Sequence, residues 1–459
     1  MEIDGYDSVS CEDMLKRKNK LTSEDFIGNM VKKSKYIYDN RVAMYEKLIK
    51  QDFLSLYEDI DLPLSYVLSD MEYTGVNVDK DYLLKMKDEV EKKIQALEDQ
   101  IHKISGNKDF NIQSPFQLGD VLFEEMGLPY PKKSKNARGY STSVDVLNKL
   151  KDYEIVEKVL EYRSLTKIYS NYIIGLLDSI KNDGKIHTVF TQTLTRTGRL
   201  SSVSPNLQNI PVREDYGRLI RKAFIPSSNS EIISSDYSQI ELRVFAHMSG
   251  ASNLIDAFKK DQDIHTRTAM DIYNKDEKDI TSNLRRNAKA VNFGIIYGIS
   301  SFGLSEDLGI DMKEAKEFID NYLKTYPGIK DYMDNLKDQA YKNGYVKTLF
   351  GRVRVIEELS SENYMVRLSG ERMALNTPIQ GTSADILKIA MINIFNEFNN
   401  LGLKAKIIIQ VHDELLIDCP KDELNKVTEI IKNKMENAYK LSVPLKVDIN
   451  KGNNWYEAK

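Results

Sequence analysis

The chain has 459 residues, of which 29% are charged and 41% are hydrophobic, and its formal net charge is -4. This length predicts about three domains at ~150 residues each, and the composition excludes extensive disorder and a fibrous fold. The net charge gives no sign of a nucleic-acid partner, but it averages over all surfaces and leaves a local basic groove open.

The cysteines and the apolar segments restrict the cellular setting. Cys11 and Cys419 are too few for a disulfide framework or a cysteine-ligated zinc site. The first residues lack the pattern of a secretion signal, and no apolar stretch approaches the ~20 residues that span a bilayer. We therefore expect a soluble, cytoplasmic protein with no membrane partner.

The spacing of apolar residues changes along the chain. From about 79 to 180 it predicts a helical arm, interrupted by a basic, turn-rich loop at 128–139 that is most simply a solvated loop. Short β-type runs with turn residues follow at 187–226, and helical spacing returns from about 250 to 375. The segment 404–450 predicts strand, strand, helix, strand. A helical module is thus expected inside an α+β domain.

Acidic residues lie at the ends of predicted strands. Asp236 ends one apolar run, and Asp413 and Glu414 lie in the turn between two others. Carboxylates at strand ends can share divalent metal, and Mg²⁺ prefers such hard oxygen ligands. Two ions ~4 Å apart would activate a 3′-hydroxyl and stabilise a leaving pyrophosphate. The simpler alternative for Asp413 and Glu414 is a solvated hairpin tip.

A predicted helix at 285–298 carries two cations and two rings. Arg285, Lys289, Phe293 and Tyr297 are four residues apart and so follow one helix face. The cations would bind triphosphate oxygens with help from the helix dipole, and the rings would stack on a nucleobase. The alternative is an ordinary amphipathic helix that buries both rings in the core.

The segment 196–211 is dense in arginine and amide side chains and has no apolar period. Such side chains can donate to phosphates or to minor-groove acceptors without reading sequence. The segment is typical of a nucleic-acid contact, and a polar surface loop is the alternative.

Three segments, in this order, resemble motifs A, B and C of the family A DNA polymerases: Asp236–Arg243, Arg285–Gly298 and Val411–Leu415. The resemblance covers nearly the whole chain. It implies an α+β fold with a right-hand architecture, in which an antiparallel-sheet palm carries helical fingers and a helical thumb. The implied domains are 1–60 (inactive remnant of a 3′→5′ exonuclease domain), 61–77 (palm-associated strand or linker), 78–182 (thumb), 183–250 (palm, motif A), 251–379 (fingers, motif B) and 380–459 (palm, motif C).

The resemblance also implies the reaction. A member of this family is expected to be a template-directed, primer-dependent DNA polymerase that adds deoxynucleotides by two-metal-ion nucleotidyl transfer, in DNA replication and repair. The implied partners are primer-template DNA and deoxynucleoside triphosphates. The implied cofactor is Mg²⁺, as two ions for which Mn²⁺ can substitute. We expect a monomer in the bacterial cytosol.

Site residues are carried over position by position. The implied metal ligands are Asp236, Asp413 and the backbone carbonyl of Tyr237, with Glu414 as a less essential acid and Lys289 as a candidate acid that protonates pyrophosphate. The implied nucleotide-binding residues are Gln239, Ile240, Glu241, His265, Arg285, Lys289, Phe293 and Tyr297. The implied DNA-binding residues are Arg163, Lys167, Arg199, Asn206, Gln208, Arg372, Asn376, Gln380 and His412.

Two of these implications concern selectivity and affinity. Glu241 matches a steric gate that leaves no room for a ribose 2′-hydroxyl, so deoxynucleotides should be preferred. The basic loop with Lys132, Lys133 and Lys135 resembles the thumb tip, where it would give salt-sensitive affinity and processivity.

The first sixty residues depart from the family pattern. Where the exonuclease motif Tyr-x-x-x-Asp would fall, the chain has Met30 and Ser34, and the other exonuclease acids would lie upstream of Met1. Neither 3′→5′ nor 5′→3′ exonuclease activity is expected. Two alternatives to a DNA-copying enzyme stay open: an inactive relative that only binds primed DNA, and a polymerase that copies RNA.

Overall fold

The computed structural model describes residues 26–131, 139–211 and 215–459. Lys132, Lys133 and Lys135 of the basic loop lie outside the described residues, as does the first part of the predicted exonuclease remnant. No described helix is both long enough and apolar enough to cross a lipid bilayer.

Helices dominate the described residues. The α-helices are α1 (Phe26–Lys50), α2 (Leu54–Leu56), α3 (Leu62–Thr74), α4 (Lys80–Ser105), α5 (Pro115–Asp120), α6 (Val144–Asn148), α7 (Glu154–Lys167), α8 (Gly175–Ser179), α9 (Asp215–Ile220), α10 (Ile240–Ser249), α11 (Ser252–Lys259), α12 (Ile264–Tyr273), α13 (Ser282–Ile296), α14 (Ser301–Leu308), α15 (Met312–Thr325), α16 (Pro327–Asn343), α17 (Tyr364–Asn400) and α18 (Leu424–Glu436). Short π-helical or 3₁₀ segments are Tyr57–Asp61, Val121–Glu125, Ile168–Ile174, Leu207–Asn209, Arg221–Ala223, Glu277–Asp279 and Glu357–Ser360.

The strands are short and pair in small sheets. They are β1 (Val76–Val78), β2 (Lys185–Ile186), β3 (Val189–Thr191), β4 (Ser201–Val203), β5 (Phe224–Ile225), β6 (Ser230–Tyr237), β7 (Tyr345–Lys347), β8 (Val353–Val355), β9 (Lys406–Val411), β10 (Glu414–Pro420) and β11 (Val447–Gly452). The sheets have the orders β2-β1-β5, β11-β6-β10-β9, β3-β4 and β7-β8.

The chain divides into two compact units. The first comprises the residues up to Thr74, Val189–Val203 and Ile233–Asn450. Its four-stranded sheet packs with the long helix α17, whose buried residues join those of β9 and β10 in one hydrophobic core. Such burial of apolar side chains is the main stabilising term of the unit. Helix α17 spans 37 residues and has Pro378 inside it.

The second unit comprises Gly75–Thr188, Ser204–Ile232 and Lys451–Lys459. It contains the antiparallel sheet β2-β1-β5 and the long helix α4. Asp79 caps the N-terminus of this helix, because its carboxylate accepts a hydrogen bond from the Tyr82 N–H at 2.9 Å. Trp455 is fully buried there, with the Arg221 guanidinium 4.0 Å from its ring centre. The aromatic ring thus stabilises a buried cation near the C-terminal end.

The structure confirms part of the element order expected from the sequence and corrects part of it. The segment 404–450 forms strand, strand, helix and strand, as predicted. The stretch from 250 to 375, expected to be helical, also contains the hairpin β7-β8, which the left-handed glycines Gly344 and Gly351 allow. The segment 61–77, expected as strand or linker, is mainly the helix at 62–74 and ends in the strand β1 at 76–78. Pro63 is compatible with the helix, because it lies in the first turn, where its missing N–H costs nothing.

Candidate functional site

Asp236 and Asp413 lie at the same end of two neighbouring strands. The Tyr237 N–H donates to the Asp413 carbonyl at 3.2 Å, and the Ser235 hydroxyl donates to the Leu415 carbonyl at 3.3 Å. Strand β9 ends at Val411 and β10 begins at Glu414, so Asp413 lies in the tight turn that the sequence predicts. Two residues remote in sequence are thereby brought together.

The electrostatics of this pair are those of crowded acids. Burial raises the pKa of Asp413 to about 7, with further upward contributions from the negative charges of Glu241 and Asp236, while Arg199 opposes them. Two carboxylates that repel each other in this way favour either a proton or a cation between them.

Glu414 is turned into the protein beside this pair. Only 2% of it is exposed, and its carboxylate accepts a hydrogen bond from Ser234 Oγ at 2.6 Å. Ser234 and Asp236 lie on the same face of β6, because side chains two apart on a strand point the same way. The sequence reasoning overlooked Ser234, although the two-residue period of the strand would have identified it.

The donor set suits a hard divalent cation. Among the residues that the structure describes, no group of three or more His, Cys, Asp or Glu side chains is arranged to hold a metal ion. A metal here would therefore depend on Asp236, Asp413, a backbone carbonyl such as that of Tyr237, and oxygens from substrate or water. Such a shell of few carboxylates and many other oxygens is the kind that Mg²⁺ takes at phosphates.

Helix α13 presents the predicted row of cations and rings. Thr281 caps its first turn by accepting from the Leu284 N–H at 3.3 Å. Lys289 is exposed and forms no ion pair with any other described residue. Phe293 and Tyr297 are half-buried against the core, with ring centres 6.5 Å apart and planes inclined by 26°. The exposed cation agrees with the predicted binding face, and the two rings are partly packed in the core, as the alternative predicted.

Arg285 is paired with an acid that sequence reasoning did not single out. Its Nη2 lies 2.6 Å from Asp263 Oδ2, and its Nε donates to the same oxygen at 2.9 Å. Asp263 also caps α12 by accepting from the N–H groups of His265 and Thr266 at 2.9 and 3.0 Å. An aspartate just before a helix is a common N-cap, so the sequence offered a signal that could have identified Asp263.

His265 lies beside the row of rings but is enclosed. It is 3% exposed, its Nδ1 is 3.1 Å from the side-chain nitrogen of Asn292, and its ring centre is 5.8 Å from that of Phe293. Burial lowers its pKa to about 4, with Asp263 opposing and Arg285 and Lys289 adding to the shift. The imidazole is therefore neutral at pH 7, and it could meet a nucleotide only through its remaining nitrogen or after a rotation.

Glu241 joins two segments of the first unit. It is 5% exposed and accepts hydrogen bonds from Arg199 Nη2 and, on its other oxygen, from the Tyr297 hydroxyl. Gln239 directly precedes the same helix, α10, with a left-handed φ of 54°, and its Oε1 is buried without a hydrogen-bond partner among the described residues. Ile240 is buried, so its side chain is not available to a nucleotide in this conformation.

The predicted DNA contacts fall in both units. In the first, Arg372, Asn376 and Gln380 are four residues apart on α17, and Asn376 Oδ1 is buried with no hydrogen-bond partner in the described part of the chain. His412 is exposed at a left-handed φ of 54°, and its carbonyl accepts from Gln410 Nε2 at 2.6 Å.

The remaining predicted DNA contacts belong to the second unit. Arg163 is half-buried and donates to both the carbonyl and the hydroxyl of Thr142, whereas Lys167 is exposed. Asn206 Oδ1 accepts from the Gln208 N–H at 3.0 Å and so caps a short helical turn. Arg163 and Asn206 thus have structural contacts of their own.

A buried ion cluster in the first unit was not anticipated. It consists of Asp61, Arg352, Asp385 and Lys388, and the last three are at most 3% exposed. Arg352 donates to Asp61 at 2.9 and 3.1 Å and to Asp385 at 2.7 Å. Lys388 Nζ is 3.4 Å from Asp61 and 3.6 Å from Asp385. Two acids and two bases balance within the interior, as buried charges require.

The α+β architecture, rich in helices with small antiparallel sheets, is that of a nucleic-acid polymerase. The structure is similar, with a TM-score of 0.91 and 38% sequence identity, to the POL domain of Pol1 from M. smegmatis, solved in complex with DNA primer-template and dNTP; the similarity covers 99% of this chain and 80% of that one. The chain belongs to DNA polymerase family A, whose model matches residues 80–457.

Two relatives give the scale of the similarity. The chain is 49% identical over 446 residues to DNA polymerase I of Bacillus subtilis (strain 168), which covers 96% of this chain and 50% of the relative. It is 50% identical over 433 residues to DNA polymerase I of Lactococcus lactis subsp. lactis (strain IL1403), covering 94% of this chain and 49% of the relative. The chain thus spans about half the length of these relatives.

Proposed function

We propose that this chain is a template-directed, primer-dependent DNA polymerase that adds deoxynucleotides to a primer 3′-hydroxyl and releases pyrophosphate. The observation that carries the proposal is the meeting of Asp236 and Asp413 at one sheet edge, where the Tyr237 N–H contacts the Asp413 carbonyl at 3.2 Å. Family membership supports it, as does the similarity to a protein solved with primer-template and dNTP.

The two aspartates would hold divalent metal together with the Tyr237 carbonyl. We expect two Mg²⁺ ions, with Mn²⁺ as a substitute, because the donors are hard oxygens. When bound, the metal would lower the pKa of the attacking hydroxyl and offset charge on the leaving pyrophosphate. Burial, together with the negative charges of Glu241 and Asp236, raises the pKa of Asp413, and this supports a cation at this point. Glu414, whose carboxylate accepts a hydrogen bond from Ser234, would influence the two aspartates from the interior side of the sheet.

Helix α13 would bind the incoming nucleotide. Lys289 is exposed and would attract the triphosphate directly, whereas Arg285 would first exchange Asp263 for a phosphate oxygen. Phe293 would pack against the sugar, and Tyr297 would guard the template position. Lys289 could also protonate the departing pyrophosphate, since an ammonium in contact with that oxygen is a competent general acid.

Glu241 would select the sugar. Its buried carboxylate is fixed by Arg199 and Tyr297, so it cannot easily move away from a ribose 2′-hydroxyl. A rigid side chain beside C2′ rejects the extra oxygen by crowding, which gives a preference for deoxynucleotides. Gln239, Ile240 and His265 are proposed to shape the same pocket from the protein side.

Duplex contacts are proposed for each unit by itself. Arg372, Asn376, Gln380, His412 and Arg199 are proposed to contact the primer-template near its growing end, where contacts to shape carry no sequence preference. In the second unit we assign duplex contacts to Arg163, Lys167, Asn206 and Gln208. The domain boundaries given above, a monomeric state and a location in the bacterial cytosol remain part of this proposal.

The test is primer extension with each nucleotide type in the presence of Mg²⁺. Asp413→Asn should lower the extension rate by at least roughly a thousandfold, because it removes a metal-binding charge from the reacting centre. Asp422→Asn, in the exposed loop after β10, is the matched control and should change the rate little. Extension that survives Asp413→Asn would contradict the proposal.

The alternatives have their own outcomes. An inactive relative would bind primed DNA tightly and extend nothing. A polymerase devoted to RNA would extend faster on an RNA template than on the matched DNA template, so the two templates are compared in parallel.

We also propose that the chain lacks 3′→5′ exonuclease activity. Met30 and Ser34 in α1 lack the phenol and the carboxylate that such a site requires. Incubation of labelled primer without nucleotides tests this, and metal-dependent primer shortening would contradict it.

A further inference from the structure

Arg352 lies directly beneath the loop that carries Arg199. Gly198 in that loop has a left-handed φ of 81°, and a β-carbon added there would lie 2.5 Å from Cδ of Arg352. The backbone of the loop therefore rests on the arginine side chain with no room for a methyl group between them. Residues before and after Gly198 cannot shift inward without displacing Arg352.

Helix α17 supports the same loop from another direction. A β-carbon added at Gly381 would lie 2.8 Å from the carbonyl oxygen of Thr197 and 2.5 Å from Cγ2 of Thr348. Thr348 is itself tied to Arg352, because the Thr348 N–H donates to the Arg352 carbonyl at 2.9 Å and the Arg352 N–H donates to Thr348 Oγ1 at 3.1 Å. Loop, hairpin and helix meet here at van der Waals distance.

The arginine is held from behind by the buried ion cluster. Its guanidinium forms hydrogen bonds of 2.9 and 3.1 Å to Asp61 and of 2.7 Å to Asp385. A planar guanidinium held by two carboxylates has little freedom to rotate. At 3% exposed, Arg352 cannot itself touch substrate in this conformation.

The loop leads straight to the sugar-selecting carboxylate. Arg199 follows Gly198 in the chain, its carbonyl accepts from Thr195 Oγ1 at 2.6 Å, and its Nη2 donates to Glu241. The other carboxylate oxygen of Glu241 accepts from the Tyr297 hydroxyl. The position of Glu241 thus depends on where the loop holds Arg199.

We propose that Arg352 is a positioning residue for Arg199 and, through it, for Glu241. The buried cluster fixes the guanidinium, the guanidinium fixes the backbone at Gly198, and the backbone sets the reach of Arg199 to the carboxylate. This inference rests on the proposed function, in which Glu241 selects the sugar. It predicts that a disturbance at Gly198 weakens sugar selection although Gly198 and Arg352 are both buried.

The test compares two glycine substitutions that share the same backbone cost. Gly198→Ala and Gly351→Ala both place alanine at a left-handed φ, 81° and 87°, but nothing lies within 4 Å of a β-carbon at Gly351. The measurement is the ratio of kcat/KM for a deoxynucleotide to that for the matching ribonucleotide. Gly198→Ala should lower the ratio by about tenfold, and Gly351→Ala should leave it within about twofold.

A second pair of variants covers the case in which Gly198→Ala does not fold. Arg352→Lys keeps the charge but loses the planar guanidinium that both carboxylates hold, so it should lower the ratio by less than Gly198→Ala does. Asp61→Asn should lower the ratio by less again. Melting curves identify the folded variants.

The outcomes distinguish a failure of the proposed sugar selection by Glu241 from a failure of the positioning role of Arg352. A wild-type chain that extends primers without sugar preference overturns the role of Glu241 and this inference with it. A wild-type chain with a clear preference that Gly198→Ala and Arg352→Lys retain overturns the inference alone. Equal loss of rate for both sugars, with the ratio unchanged, also overturns it, because that is the result of a purely structural role.

Discussion

Two arginine–aspartate pairs in the first unit have almost the same length and opposite surroundings. Arg352 and Asp385 are 2.7 Å apart with side chains 4% and 0% exposed, whereas Arg285 and Asp263 are 2.6 Å apart with side chains 44% and 42% exposed. Water screens the second pair and not the first. Contact distance therefore does not tell an ion pair that is shielded from water from one that water reaches, but burial does.

The largest expected effect lies in the buried pair. Asp385→Ala should lower the free energy of unfolding by about 3–5 kcal/mol, because it leaves Arg352 and Lys388 charged in the interior with one acid between them. Urea unfolding followed by circular dichroism measures it. A loss below about 1 kcal/mol would mean that the cluster is open to water in solution.

Lys289→Ala should separate activity from stability. Removal of this exposed cation should lower kcat by about a hundredfold, because under the proposed function Lys289 would stabilise charge that develops in the transition state. The free energy of unfolding should change by less than about 0.5 kcal/mol. Arg286→Ala, which removes an exposed cation about 60° around the same helix from Lys289, is the control and should have a much smaller effect. A pH–rate profile unchanged by Lys289→Ala would contradict its role as a proton donor.

His265 should make stability depend on pH. The unfolded chain protonates this histidine as the pH falls through about 6.5, but the folded protein does not until its pKa of about 4. Between these values the unfolded state binds more protons, so stability falls as the pH falls. His265→Gln should reduce that slope relative to wild type, measured as urea midpoints from pH 7 to pH 4. Parallel curves for the two proteins would show that the histidine is not buried.

The smallest expected effect lies in the exposed pair. Asp263→Asn keeps a side-chain oxygen for capping α12 and removes only the charge opposite Arg285. The free energy of unfolding should change by less than about 1 kcal/mol, as is usual for exposed pairs. Triphosphate should bind slightly more tightly, because Arg285 no longer has to leave a partner. Weaker binding in a titration with nucleotide would contradict this exchange.

The sequence predicted what depends on local spacing. The row from Arg285 to Tyr297 follows from the four-residue period of α13, and the turn at Asp413 follows from two apolar runs that flank it. That these two features serve one kind of site was predicted from the combination of carboxylates, cations and rings, and the order of three motifs supported that prediction.

What the sequence did not reveal depends on contacts between distant segments. Arg352 and Asp61 are separated by 291 positions, and nothing in either neighbourhood marks them as partners. The hairpin β7-β8 was overlooked because its strands have three residues each, too few for a two-residue period to stand out among helices. Arg285 was identified, but its acid on another helix was not, since pairing of side chains requires the fold.

Pro378 divides the 37-residue helix α17 into two segments. Because proline has no N–H and its ring crowds the preceding turn, the helix has a weak joint at that position. Arg372 and Asn376 lie before the joint, and Gln380 and Asp385 lie after it. The later part is held by the buried charges around Asp385, whereas the earlier part packs through Ala374 and Leu375 into a separate cluster of buried apolar side chains. The two parts of one helix are therefore stabilised by different kinds of interaction.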